Sequence, residues 1–106
     1  MIKNHANKIL VVKDEVVIAL RLEQMLTKMG YNVIGVSYSG EDALEKVRSL
    51  RPEIVLMDII LPGKLDGIAV AEIVKSEFNI PVIFLTAFSE DNIIERYKKP
   101  NLLTIF

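Results

Sequence analysis

Short runs of apolar residues, rich in valine and isoleucine, alternate along this chain with stretches whose apolar positions recur every three or four residues. Ile9-Leu10-Val11-Val12, Ile54-Val55-Leu56-Met57 and Pro81-Val82-Ile83-Phe84-Leu85 are apolar throughout rather than on alternate positions. A strand of that kind must be buried on both faces, and strict strand–helix alternation supplies the helices that bury it. The expectation is an α/β protein with a doubly wound parallel sheet, its topology limited by right-handed crossovers to a few strand orders.

Element by element, strand one ends at Val12. A helix over Asp14 to Met29 places apolar residues at 18, 22, 25, 26 and 29, and Gly30 is suited to end it. Tyr31 to Val36 alternates as strand two. Ser39 and Asp42 form a capping-box pattern before a helix with Ala43, Leu44, Val47 and Leu50 on one face, closed by Pro52. Strand three runs to Asp58. The following loop, Ile59 to Gly67, contains Pro62, Gly63 and Gly67 as breakers. A third helix is expected over Ile68 to Phe78, and strand four ends at Thr86. A fourth helix over Glu90 to Tyr97 follows Ser89 as its cap, and Leu102 to Phe106 reads as strand five.

The 106 residues suit one domain over 1–106, with residues 1–7 as a disordered or extended tail. Apolar residues make up 51% of the chain, enough for a real core. The formal net charge of -1 gives no electrostatic case for direct binding of nucleic acid. With no cysteine, disulfides and thiolate metal sites are excluded, and the single histidine, His5, cannot make a metal site alone. No run resembles a signal peptide or is long enough to span a bilayer, so a cytoplasmic protein is expected.

In a doubly wound sheet, ligands bind beyond the carboxyl ends of the strands. Strand one delivers Lys13, Asp14 and Glu15 there, strand three Asp58, and strand four Thr86. Each has a plainer use by itself: Asp58 as a turn residue, Asp14 as a helix cap, Lys13 as a solvated charge, Glu15 as a partner of the helix dipole. Together, on strands expected to be neighbours, they make a site. Two converging carboxylates call for a divalent cation, and hard oxygen donors suit Mg²⁺, with the backbone carbonyl of Ile60 as a third oxygen beside Asp14 and Asp58. Beside such a metal Asp58 serves as ligand, general base, or nucleophile towards phosphorus, and the Thr86 hydroxyl is a donor for a non-bridging oxygen.

Three segments carry a family resemblance. Ile9-Leu10-Val11-Val12-Lys13-Asp14-Glu15, Val55-Leu56-Met57-Asp58 running through Leu61-Pro62 to Asp66-Gly67, and Pro81-Val82-Ile83-Phe84-Leu85-Thr86-Ala87 together resemble the response regulator receiver domain of two-component signalling. The resemblance covers about Lys8 to Tyr97. It implies a flavodoxin-like five-stranded parallel sheet of order 2-1-3-4-5. It also implies Asp58 as the phosphoacceptor for a histidine kinase or phosphotransfer protein. Asp14, Asp58 and the Ile60 carbonyl become the Mg²⁺ ligands, and Thr86 the hydroxyl that moves towards the phosphoryl group. Such a domain is a signalling module, not an independent enzyme, and docks its kinase through helix one and the loop after strand five.

The sequence departs from that family at four places. Lys13 stands where the family carries an acidic residue, so weaker Mg²⁺ binding is expected; its ammonium is also placed to pair with Asp58 and compensate its charge. The family's strand-five lysine is lost or displaced: one alignment puts Thr104 and Ile105 in the Lys-Pro places, the other uses Lys99-Pro100. The first alignment is favoured, and it puts Asn101 at the switch aromatic, with Tyr97 nearby. Finally, the sequence stops where a fifth helix is expected, which would leave one sheet face seeking a second chain, a swapped assembly or a missing segment. Two readings follow: a phosphorylatable receiver, and a pseudo-receiver of the same fold used as a protein-docking module. A flavodoxin-like electron carrier is disfavoured, because carboxylates occupy the loop after strand one where a flavin phosphate would sit.

Overall fold

The computed structural model describes residues 7–85 and the backbone of a strand over 103–105. Five parallel strands form one sheet: β1 (Lys8–Val12), β2 (Asn32–Ser37), β3 (Ile54–Asp58), β4 (Val82–Leu85) and β5 (Leu103–Ile105). Their order is β2-β1-β3-β4-β5, as the family resemblance implies. Three helices belong to the described part: α1 (Val16–Lys28), α2 (Gly40–Leu50) and α3 (Gly67–Ile73), the last continuing as a π-helical turn over Val74–Phe78. The helix expected over Glu90 to Tyr97 lies outside the described residues.

Alternate residues of each inner strand feed opposite faces, as the pleat requires. Leu10, Val12, Val55, Met57, Val82 and Phe84 point to the face covered by α2 and α3, where Ala43, Val47, Val70 and Val74 complete the larger core. Ile9, Val11 and Leu56 point to the other face and pack with Leu22 and Leu26 of α1. The two faces are unequal. Val82 and Phe84 are buried, whereas Ile83 and Leu85, on the α1 side of the same strand, are half-buried.

The helix ends follow from local chemistry. Gly30 takes a φ of 97°, and the Gly30 and Tyr31 amides donate to the carbonyls of Thr27 and Leu26, the paired bonds of a Schellman stop. The Ser39 hydroxyl accepts from the Asp42 amide at 3.2 Å and caps α2, while the Asp42 carboxylate turns to Lys46. Half of the expected capping box is therefore used.

The stripe on α1 lies on a helix, as its spacing implies, but only part of it is buried. Leu22 and Leu26 face the sheet, with Ala19 fully buried beside them, but Ile18, Met25 and Met29 are exposed. Among the described residues α1 contacts the sheet along one edge of its apolar surface, so part of the periodic pattern faces outward. Leu50, grouped with Ala43, Leu44 and Val47 on one face of α2, is likewise exposed. No helix among the described residues is long and apolar enough to cross a membrane.

Candidate functional site

β1 and β3 are hydrogen-bonded neighbours with Val12 level with Met57, so Lys13 and Asp58 leave the sheet side by side. On the other side of β3, Asp58 is level with Leu85, the residue before Thr86. Thr86 itself lies outside the described residues. The adjacency of strands one, three and four, on which convergence at Asp58 depended, is therefore present.

Lys13 is fixed at both ends. Its amide donates to the Ser37 carbonyl at 3.0 Å, tying the chain after β1 to the end of β2. Its Nζ donates to Asp58 Oδ2 at 2.9 Å and lies 3.6 Å from Glu15 Oε1. The Lys13 and Asp58 side chains are only 18% and 16% exposed, so this pair is shielded rather than a loose surface contact. Glu15 is exposed at the rim.

The two ionisations respond differently to this arrangement. Burial pushes the Asp58 carboxyl above the usual carboxylate range; the hydrogen bond and charge of Lys13 pull it back without winning. Asp14 adds to the upward push, and a backbone hydrogen bond from Ile60 opposes it. At Lys13 burial acts downward, but the hydrogen bond and charge of Asp58, with Glu15 and Asp14, outweigh it, so the ammonium is held more firmly than usual. The shifts are not mirror images because the carboxyl is the more desolvated partner and sits beside a second carboxylate.

The loop after β3 is anchored from below. Ile59 and Leu61 are buried in the core, which leaves Ile60 between them facing out beside the site. Gly67 closes the loop: its amide donates to the Ile59 carbonyl at 2.8 Å. A Cβ on Gly67 would lie 2.1 Å from the Asp58 carbonyl oxygen and 2.7 Å from that of Ile59. The Asp66 carboxylate accepts from the Ala69 amide at 2.9 Å and caps α3 directly after this contact. Asp66-Gly67 therefore positions the end of β3 rather than merely breaking the chain.

Asp14 is exposed after β1 and is not the α1 cap; that position falls to Glu15, whose side chain makes no capping bond. The plainer use of Asp14 is thus not the one found. β5 forms over Leu103–Ile105 beside β4, so no lysine lies in that strand. Lys99-Pro100, Asn101 and Tyr97 lie outside the described residues. Ser37 was not singled out from the sequence; it acts through a backbone carbonyl, which no side-chain pattern reveals.

Receiver domains in general bind Mg²⁺ at the phosphorylation site. Here the donors for such an ion would be Asp14, Asp58 and the Ile60 carbonyl, but the Lys13 ammonium already stands on Asp58 Oδ2. Near a protein surface unit charges ~4 Å apart interact by about 4 kcal/mol, and a divalent ion doubles the repulsion it feels from the ammonium. Among the described residues no group of three or more His, Cys, Asp or Glu side chains is placed to hold a metal ion. As arranged, these residues do not fit a divalent cation.

A family model for the response regulator receiver domain matches residues 9–105. The transcriptional regulatory protein PdtaR of Mycobacterium tuberculosis is 35% identical over 89 residues, covering 84% of this chain and 43% of that protein. The probable transcriptional regulator ycf27 of Pyropia yezoensis is 44% identical over 88 residues, covering 83% of this chain and 35% of that protein. The chain spans less than half the length of these relatives. Among solved structures, the signal receiver domain of a modulated diguanylate cyclase from Desulfovibrio desulfuricans matches with a TM-score of 0.82 at 35% identity, over 93% of this chain and 79% of that one. The response regulator PhyR of Brucella abortus matches with a TM-score of 0.81 at 30% identity, over 97% of this chain and 42% of that one. By sequence match, strand order and overall shape alike, the chain belongs to the response regulator receiver domain family.

Proposed function

We propose that this receiver domain is a phosphoacceptor in a two-component relay, with Asp58 as the residue modified. The observation that carries the reading is the placement of Asp58: a shielded carboxylate at the carboxyl end of the central strand, held against a cation and flanked by the strand that leads to Thr86. In the reaction an Asp58 carboxylate oxygen attacks the phosphorus of a phosphohistidine on a histidine kinase or phosphotransfer protein. A P–O bond forms as the P–N bond breaks, and the imidazole nitrogen leaves with the electron pair and takes up a proton. Catalysis consists of in-line positioning and charge compensation at the phosphoryl oxygens. Thr86 is proposed to donate to one of those oxygens, and the resulting population shift to alter the surface offered to protein partners.

A second reading is favoured by one observation: the nucleophilic carboxylate is already neutralised by Lys13. A pseudo-receiver would keep the fold and dock a partner without phosphorylation. The solved structures similar to this chain include the anti-anti-sigma factor PhyR of Bartonella quintana.

Incubation with acetyl phosphate, read by intact mass, separates the two. The expected result is a gain of one phosphoryl group that Asp58→Asn abolishes. No gain by folded protein would leave the docking reading.

A further inference from the structure

We propose that Lys13 is the resident cation of the acceptor site, its ammonium standing beside Asp58 in place of a divalent metal, so that Asp58 accepts phosphoryl groups without one. This rests on the reading of Asp58 as the acceptor.

Geometry supports the substitution. The ammonium is 2.9 Å from Asp58 Oδ2, a charge-assisted contact to one of the two oxygens able to attack phosphorus. The other oxygen, Oδ1, has no part in that bond. A lysine so placed holds the carboxylate by one oxygen and can meet the non-bridging oxygens of an incoming phosphoryl group. It needs no travel along the chain to do so, because the Lys13 amide is tied to Ser37.

The charge balance agrees. The groups that face Lys13 electrostatically are Asp58, Glu15 and Asp14, three carboxylates around one ammonium. The ammonium in contact with Asp58 is that of Lys13. β5 does not offer a lysine: Leu103, Thr104 and Ile105 make up the described strand. The cation in contact with the acceptor comes from the residue directly after β1, at the place where the resemblance implies an acidic residue beside the metal. A bound Mg²⁺ would have to displace an ammonium from a shielded carboxylate and then tolerate it nearby.

The transfer balances without a metal. With acetyl phosphate as donor, Asp58 forms the new P–O bond, the bond from phosphorus to the acetyl oxygen breaks, and acetate leaves with the electron pair. Lys13 keeps its proton throughout and neutralises charge on the transferring group.

The test uses the full chain with Lys13→Asp and Lys13→Met, each checked for folding by circular dichroism. In the first arm Mg²⁺ alone is titrated by calorimetry, with no phosphodonor. The expected Kd of the wild type is at least roughly tenfold weaker than that of Lys13→Asp, since hard-cation affinity follows ligand charge. Equal affinities would overturn the proposal. In the second arm acetyl phosphate is added with EDTA or with Mg²⁺ and the mass gain followed in time. The wild type is expected to gain a phosphoryl group at rates within about threefold of each other in the two conditions, and Lys13→Met to depend on Mg²⁺. A wild type that needs Mg²⁺ refutes the substitution. If the variants do not fold, the wild-type comparison of EDTA with Mg²⁺ decides alone. If the wild type gains no mass in either condition, phosphoacceptance fails, while the calorimetric arm still reports whether Lys13 excludes the metal.

Discussion

Gly67 lies so close to Asp58 that a Cβ added to it would sit 2.1 Å from the Asp58 carbonyl oxygen. The contact is backbone against backbone, so no side-chain rotation relieves it. Gly67→Ala is expected to destabilise the fold by roughly 2–3 kcal/mol, the upper range for overpacking. Urea unfolding would read the loss. An alanine variant as stable as the wild type would mean that the loop yields freely and that Gly67 does not position Asp58.

The cap next to this contact is separable from it. Asp66→Ala removes the carboxylate that accepts the Ala69 amide and should cost about 1 kcal/mol, as other caps do. Asp66→Asn, which keeps an acceptor oxygen, should recover most of that. Similar losses in both variants would point to the charge of Asp66 instead of its capping bond.

Among the described residues Phe84 is the largest of the fully buried side chains, 1% exposed, and lies on β4 within the larger core. Phe84→Ala should cost about 3–5 kcal/mol through lost burial and an unfilled cavity. Val17→Ala, at a position 69% exposed, should change stability by less than about 0.5 kcal/mol. The pair calibrates the core against the outer surface of α1 by one denaturant series.

The pH dependence has a definite sign. Asp58 holds its proton more tightly folded than unfolded, because burial outweighs the help from Lys13. Stability is therefore greatest while the carboxyl is protonated, and falls as pH rises from the unfolded value of about 3.9 through the higher folded one. Asp58→Asn removes this titration. The wild type should lose stability relative to the variant over the range that starts at the unfolded value of about 3.9 and runs upward, measured by urea unfolding at each pH. A constant difference across that range contradicts the burial argument. At the alkaline end Lys13 acts the other way: its stabilisation is complete below the ordinary lysine value of 10.5 and is lost as pH rises through its higher folded value.

The amino-acid sequence by itself determined the order of the described elements, where β3 ends, where α1 stops and where α2 starts. Those are local properties: apolar runs, helical spacing, Gly30 in a left-handed turn, Ser39 as a cap. It also marked Asp58, Asp14 and Lys13 as strand-end residues worth attention. Which of them meet was a tertiary decision. Lys13 and Asp58 are 45 positions apart in sequence, and their 2.9 Å contact exists because β1 and β3 pair in parallel with Val12 beside Met57. The same holds for what is buried. Ile18, Met25 and Met29 share a helical period with Leu22 and Leu26, but periodicity describes a stripe, and only the docking angle of α1 on the sheet settles which edge of it is buried. Gly67 read as a loop breaker because composition cannot show the approach of a carbonyl from another element. Local chemistry is written in spacing; the charge environment of Asp58 is written in strand neighbours, and those arise only when the sheet assembles.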